Sequence, residues 1–184
     1  RETFKTLISS FISGILISIG GIAFLSCESK YLGAFAFSVG LFFIVEFGFK
    51  LYTGAIGYAL DNDKKNNLML PLIAIGNLIG TMFIAFIINL TRVGENLHNK
   101  AQMMCDIKLN DTWYSILILS IMCGIMIFIG VNVFKKSQNN VSKVFAIIIC
   151  VFIFIISGFE HCIANMFYIS VAGMWNMKAV LYVL

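Results

Sequence analysis

The sequence has very little charge, and this shortage excludes most soluble functions. Charged residues make up 12% of the 184 positions, against about 25% in an ordinary soluble domain. The net charge of +4 is not clustered and is too small for the polybasic surface that would hold a nucleic acid. Hydrophobic residues make up 60% of the chain. The composition therefore predicts a membrane protein and excludes a disordered chain, a coiled coil and a soluble enzyme.

Proline and metal-binding patterns are also scarce. Pro71 is the only proline, and the two histidines, His98 and His161, lie far apart in the sequence. The five cysteines form no CxxC pair, so we expect no metal site, and nothing in the sequence points to a cofactor. Most of the cysteines lie in apolar runs, where a free thiol behaves as a small hydrophobe. A disulfide between Cys27 and Cys105 stays open as an alternative.

Five apolar runs are long enough to cross a bilayer, which takes about 20 helical residues. The second run would be about 43 Å long as one straight helix, so we expect it to be broken. A sixth run begins at Ala179 and stops at Leu184, so we expect a fragment from which a sixth helix is largely missing. The five runs are Leu7 to Leu25, Leu32 to Leu60, Leu68 to Leu90, Trp113 to Phe134, and Val144 to Ile169.

Basic residues favour one side of the predicted spans. The connections on the side of the N-terminus hold seven lysine and arginine residues, and those on the opposite side hold five. Cytoplasmic loops carry an excess of such residues. The sequence therefore predicts a multi-pass protein of the inner (plasma) membrane with a cytoplasmic N-terminus.

The second and fifth runs share a short motif at a fixed spacing. Gly48 and Gly158 lie 110 positions apart, and each is followed by phenylalanine and a charged residue inside an apolar run. Three spans followed by three more have opposite orientations, and inverted repeats with broken helices are typical of transporters. We expect one transmembrane domain over 1–184, with a first repeat at about 1–92 and an incomplete second repeat at about 108–184.

Ionisable groups inside the apolar runs are the first candidate functional residues. Each would cost at least about 2.5–3.5 kcal/mol at the bilayer centre. A water-lined path or pairing between Lys50 and Glu160 would offset this cost, and so would snorkelling or bonds to backbone groups at the breaks. His161 can donate to an anion or pass a proton, or it is a core histidine satisfied by a neighbour. The four groups are Glu46, Lys50, Glu160 and His161.

Four other residues are candidates because of their position. Phe154 lies two helical turns before His161, where its ring would close a pore or simply pack. Lys108 is either a solvated loop lysine or a cation that attracts anions to a pore mouth. His98 lies in a polar connection and is expected to be solvated. Ser157 is one helical turn from His161, so an intramembrane enzyme is an alternative, although no oxyanion donors or nucleophile turn are evident.

Three segments resemble one known family. Residues 158–167 read GFEHCIANMF and resemble the GFEHSxANM signature of the formate/nitrite transporter family. Residues 50–54, KLYTG, resemble the LFTG segment of that family's broken second helix, and residues 76–80, GNLIG, match its third-helix motif. The resemblance covers essentially the whole chain. It implies an all-α, aquaporin-like inverted repeat of three plus three transmembrane helices, of which the second and the fifth are broken. It also implies assembly in the lipid bilayer as a homopentamer with one pore per protomer.

The resemblance also implies a function, namely a channel or proton-linked transporter for small monovalent anions rather than an enzyme. The pore histidine would be His161 and its threonine partner Thr53, and Leu51 and Phe154 would form an apolar neck beside them. Members of different branches carry formate, nitrite, hydrosulfide or lactate. The implied pore residues are His161, Thr53, Lys108, Leu51 and Phe154, supported by Glu160, Lys50 and Asn165.

Two departures from the family pattern bear on the anion. Gly124 takes the place of an asparagine that often follows Cys123 and partners the pore histidine. Lys50 takes the place of an acidic or neutral residue. Together with the KLYTG variant, these departures resemble the hydrosulfide-channel branch. Hydrosulfide is therefore the expected anion, and formate or nitrite is the alternative.

Overall fold

Every element of regular structure in the described part of the chain is helical. The computed structural model describes residues 2–60 and 64–183. The helices are α1 (Glu2–Ser26), α2 (Lys30–Glu46), α3 (Tyr52–Ile56), α4 (Lys64–Leu68), α5 (Leu70–Asn89), α6 (Gly94–Leu109), α7 (Trp113–Lys136), α8 (Asn140–Ile156), α9 (Cys162–Ala172) and α10 (Met177–Val183).

The outside of the helix bundle is apolar. In length and composition α1, α7 and the segment Asn66–Asn89, which includes α5, are each suited to crossing a membrane. Large apolar side chains cover the surface of these helices: Phe4 is 66% exposed and Phe86 is 67% exposed. An apolar exterior of this extent suits lipid rather than water. The predicted all-α, multi-pass membrane architecture is confirmed.

The second and fifth apolar runs are each divided into two helices, as predicted. Residues 47–51 separate α2 from α3, and residues 157–161 separate α8 from α9. Gly48 (φ +67°) and Gly158 (φ +73°) adopt the left-handed conformation at the corresponding point of each break. Glycine reaches this conformation without the steric cost of a Cβ atom, which explains why both helices stop there.

The two breaks close with the same backbone hydrogen bonds. The N–H of Phe49 donates to the carbonyl of Ile44, and the N–H of Phe159 donates to the carbonyl of Phe154, both at 2.9 Å. This is the Schellman motif, in which the residue after the left-handed glycine satisfies a carbonyl three residues inside the helix end. Each break is therefore a defined turn that can hold side chains in place.

Helices α1 and α5 pack backbone to backbone through glycines. A Cβ atom added to Gly80 would overlap the carbonyl oxygen of Phe11, and one added to Gly14 would overlap that of Asn77. Small residues let membrane helices approach in this way. The close contact brings the side chain of Asn77 next to the first break.

Helix α6 folds back over the side of the bundle on which α1 ends. Nζ of Lys100 donates to the carbonyl of Leu25 at 2.8 Å, and Nδ1 of His98 lies 2.8 Å from the carbonyl oxygen of Val171. Asn89 donates to the same carbonyl at 3.0 Å. Carbonyls at helix ends need such partners. The prediction of a solvated His98 is wrong, because the residue binds the C-terminal end of α9.

The cysteines are not crosslinked. Cys27 and Cys105 are both free thiols, and Cys105 is fully buried among apolar side chains. The disulfide left open by the sequence is therefore absent. Cys105 packs as a small hydrophobic residue, as a buried free thiol commonly does.

Candidate functional site

His161 closes the second break and caps helix α9. Its Nδ1 accepts a hydrogen bond from the N–H of Ala164 at 3.0 Å, and its Nε2 lies 3.0 Å from Oγ1 of Thr53. A ring nitrogen that accepts from an N–H carries no hydrogen of its own. The neutral ring therefore holds its hydrogen on Nε2 and donates it to Thr53. The side chain is only 3% exposed.

The first break is held in place by Asn77 of α5, whose side chain is fully buried. Its Oδ1 accepts from the N–H of Tyr52 at 2.9 Å, and its Nδ2 donates to the carbonyl of Lys50 at 3.0 Å. The same Nδ2 donates to the carbonyl of Ser10 at 2.8 Å. The break is thus tied to α1 and α5, which fixes Thr53 opposite the imidazole.

An aromatic layer packs against the imidazole. The rings of Phe154 and His161 stack with centroids 5.6 Å apart, and Phe37 meets Phe154 edge-on at 6.2 Å. Both phenylalanines are at most 3% exposed. Tightly packed aromatic side chains exclude water, so this layer forms an apolar barrier next to a polar ring.

A cavity of about 330 Å³ lies on the α6 side of this layer, and we name it the side-two cavity. It is lined by the end of α1, the start of α2, α6 and the second break. Side two is the side of the bundle on which α1 ends, and side one is the side on which α1 begins. The rings of Phe37, Phe154 and His161 form part of its wall, together with Lys30, Lys108 and Glu160. A three-atom solute fits beside the imidazole, since one water occupies about 30 Å³.

Lys108 lies on α6 and forms an ion pair with Glu160. Its Nζ is 2.6 Å and 2.8 Å from the two carboxylate oxygens, and Asn165 donates to the same carboxylate at 2.7 Å. The side chain of Lys108 is 19% exposed and that of Glu160 is 8% exposed. The positive charge is therefore compensated. Pairing between Lys50 and Glu160, which the sequence left open, does not occur.

A second cavity, of about 400 Å³, lies on side one of the bundle, and we name it the side-one cavity. Leu41 and Leu51, 1% and 4% exposed, line it together with Val131. Lys50 and Lys135 also line it. Leu51 and Phe154, which the resemblance implies as one apolar neck, line different cavities.

Leu41 and Leu51 form a second apolar layer, and Thr53 connects it with the aromatic layer of Phe37 and Phe154. Thr53 lies two residues after Leu51 and bonds to the ring that stacks on Phe154. Thr53 also lines a third cavity, of about 690 Å³, together with Cys123, Gly124 and Cys162. The structure thus brings together every implied pore residue except Lys50 and Leu51, which line the side-one cavity.

Three residues of the site were not predicted from the sequence, namely Phe37, Leu41 and Asn77. Phe37 and Leu41 are four residues apart and share one face of α2. Because the surrounding run is apolar at nearly every position, no periodic pattern marks that face. The GNLIG motif contains Asn77, but only the structure shows that its amide binds the neighbouring break.

Other candidate residues lie outside this arrangement. Glu46 is exposed at the end of α2, and Ser157 is exposed at the end of α8. Both ring nitrogens of His161 already have partners, so the imidazole offers no acceptor to Ser157. Among the described residues, no group of three or more His, Cys, Asp or Glu is placed to hold a metal ion.

Comparison with known proteins identifies related chains. A family model described as "Formate/nitrite transporter" matches residues 1–183. The formate channel FocA of Haemophilus influenzae is 25% identical over 92% of this chain and 66% of its own length. The uncharacterized transporter YrhG of Bacillus subtilis is 31% identical over 78% of this chain and 58% of its own length. The formate-nitrite transporter of Plasmodium falciparum is 27% identical over 84% of this chain and 55% of its own length. The chain thus spans two thirds or less of the length of these relatives.

Solved structures share the fold. A structure described as a pentameric formate channel with formate bound superposes with a TM-score of 0.80 at 25% identity, covering 98% of this chain and 80% of that one. A structure described as an FNT family ion channel superposes with a TM-score of 0.77 at 18% identity. This superposition covers 98% of this chain and 79% of that one. The named relatives are channels and transporters, not enzymes. The chain belongs to the formate/nitrite transporter family.

Proposed function

We propose that the chain forms an anion pathway that runs past His161 across the inner (plasma) membrane, with the N-terminus in the cytoplasm. The observation that carries this proposal is the Nε2–H of a buried imidazole, aimed at Thr53, between two apolar layers that each border a cavity. A single polar donor pair in an otherwise apolar passage suits a solute with one negative charge.

The apolar layers and the polar pair have complementary tasks. Leu41 and Leu51 on one side, and Phe37 and Phe154 on the other, would remove most of the water around an anion. Taking a bare charge from water is very costly unless new hydrogen bonds replace the lost ones. The Thr53 hydroxyl accepts from His161, so its own hydrogen is available for an anion. Each hydrogen bond to a charged group contributes about 1.5–3 kcal/mol.

The hydrogen-bond pattern favours His161 as a hydrogen-bond donor rather than a proton donor. An imidazolium would need a hydrogen on Nδ1, and Nδ1 already accepts from the N–H of Ala164. Protonation would break the cap of α9 and leave that N–H without a partner. A neutral imidazole does not readily give up its last ring hydrogen. We therefore favour a channel over a transporter that moves protons with the anion.

The ion pair at the side-two cavity shapes that cavity. With its charge compensated by Glu160, Lys108 attracts anions less strongly than a free lysine would. Asn165 donates to the same carboxylate, so three elements, α6, the second break and α9, are tied together. We propose that Lys108 and Asn165 keep Glu160 in place and thereby hold the loop that carries His161.

Hydrosulfide is our proposed anion, and formate or nitrite is the alternative. An added Cβ atom at Gly124 would meet no atom within 4 Å, and this open position lies on the cavity that Thr53 lines. The wall beside Thr53 thus has no amide donor at position 124. A formate ion has two oxygen atoms that need hydrogen-bond donors, whereas hydrosulfide has a single sulfur atom that is weakly hydrated. Formate is nevertheless the anion named for the FocA relatives.

We also propose a homopentameric assembly and an internal repeat. A pentameric formate channel superposes on 98% of this chain, which supports a homopentamer with one pathway per subunit. The identical hydrogen bonds at the two breaks support one transmembrane domain with a repeat at about 1–92 and another at about 108–184.

The proposal is tested by a flux panel of hydrosulfide, formate, nitrite and chloride with the reconstituted protein. Current across a planar bilayer is the readout, because neutral hydrogen sulfide crosses lipid unaided and only the anion carries charge. We expect hydrosulfide to give the largest current and chloride the smallest. Protein-free bilayers are the control. If none of the four anions gives a current, no anion crosses in its charged form and the proposed channel is wrong.

A further inference from the structure

Among the described residues that line the side-one cavity, two are lysines and none is acidic. Lys50 and Lys135 line it, and the rest of the wall is apolar or glycine apart from Tyr58. In residues 2–60 and 64–183, neither ammonium group has a carboxylate within salt-bridge distance. Among the described residues, no carboxylate forms a salt bridge with either lysine of this cavity, and Glu2 lines a neighbouring cavity that Lys50 also borders.

Both lysines are held in place by the fold. The N–H of Lys50 donates to Oγ of Ser9 at 2.9 Å, and its carbonyl accepts from Asn77. Nζ of Lys135 lies 4.2 Å from the centroid of the Tyr58 ring, a cation–π contact. The backbone of Lys50 is thus held in a defined turn immediately before Leu51, and Lys135 lies in the last turn of α7.

The side-two cavity is different. It also has two lysines, but Lys108 is paired with Glu160, and Lys30 donates to the carbonyl of Ile156 at 3.0 Å. Two lysines and one acid leave one formal positive charge on that wall, whereas the side-one wall has two. Counted over the described lining residues, the wall of the side-one cavity therefore has the larger formal positive charge.

We infer that Lys50 and Lys135 form an anion-recruiting site at the side-one mouth, which collects small monovalent anions before they reach Leu51. This inference rests on the proposed function. A cleft lined by charge of one sign, with walls of low dielectric, raises the local concentration of counter-ions by about 10- to 1000-fold. The site would set the rate of entry from side one and leave entry from side two largely unchanged.

Current across planar bilayers, with the anion added to one side at a time, tests this inference. We expect the double variant Lys50→Gln/Lys135→Gln to lower the current from side one about tenfold at low ionic strength. At about 1 M salt, where the screening length is about 3 Å, the loss should shrink to less than about twofold. Current from side two should change little in either condition.

Two variants serve as controls. Lys136→Gln removes an exposed lysine of the same helix end that does not line the cavity, so it should leave both currents unchanged. Lys50→Arg/Lys135→Arg keeps both charges and should keep the side-one current. This pair of controls separates the local field from the net charge and from damage to the Tyr58 contact.

Several outcomes would overturn the inference. An equal loss from both sides, or a loss that salt does not reduce, would mean that the variant damages the pore itself. An unchanged side-one current would mean that the lysines only anchor the protein to lipid. If the unmodified protein carries no anion from either side, the proposed function fails together with this inference. A working channel without the side-specific effect overturns the inference alone.

Discussion

Replacing His161 by asparagine is expected to lower the anion flux about 10- to 100-fold. Without the Nε2–H, the Thr53 hydroxyl is no longer held with its own hydrogen free for the anion, and a hydrogen bond to a charged group is worth about 1.5–3 kcal/mol. Asparagine is a strong N-cap residue, so its side-chain oxygen can still accept from the N–H of Ala164. Its side chain is too short to bring a donor to Thr53. The change therefore removes the Nε2–H and keeps the start of α9.

The pH dependence of this effect separates two roles of the imidazole. Wild-type and His161→Asn flux would be compared at each pH between about pH 5 and 8, the range in which histidine changes charge in water. With hydrogen bonding alone, the ratio of the two fluxes should stay constant. With proton donation, the ratio should rise as the pH falls. Equal fluxes at every pH, with equal melting temperatures, would show that His161 is only a packing residue.

Replacing Lys108 by methionine is expected to lower the free energy of unfolding by about 3–5 kcal/mol, because it leaves a buried carboxylate without its counter-ion. Glu160 is 8% exposed, so water cannot replace the lost ammonium group. Asn165 would remain as a hydrogen-bond donor but carries no charge. Thermal unfolding of the detergent-solubilised protein measures the loss.

Variants of Glu160, the partner of Lys108, identify the cause of the lost stability. Glu160→Gln should cost less than Lys108→Met, since the lysine is 19% exposed and reaches solvent. The double variant Lys108→Met/Glu160→Gln should recover most of the stability, because no buried charge remains and glutamine can still accept from Asn165. A double variant no more stable than Lys108→Met would show that the lysine acts by packing and not through its charge.

The helix breaks could be predicted from the sequence. The second apolar run is too long for one span, and Gly48 and Gly158 each precede a phenylalanine and a charge at a constant spacing. Glycine at such a point allows the left-handed turn that ends a helix. The bond between His161 and Thr53 followed from the family resemblance, since nothing local connects residues 108 positions apart.

The charge pairs and the two apolar layers could not be predicted in the same way. Lys108 and Glu160 lie 52 positions apart on elements with no shared sequence pattern, and the folding of α6 onto α9 decides their contact. Repeat symmetry pointed instead to Lys50, which the structure places in the other cavity. Phe37 lies in a helix that is apolar at nearly every position, so no period distinguished its buried face.

Passage of an anion beside the His161 ring is tested most directly by a crystal structure of the protein soaked with selenocyanate, a linear monovalent anion of three heavy atoms. Selenium gives an anomalous signal that locates it without ambiguity. We expect a peak beside the His161 ring, in the side-two cavity or next to Thr53, with the anion about 3 Å from Nε2 of His161 or from the Thr53 hydroxyl. Peaks confined to Lys50 and Lys135, or to the outer surface, with none beside the imidazole, would contradict the proposed pathway.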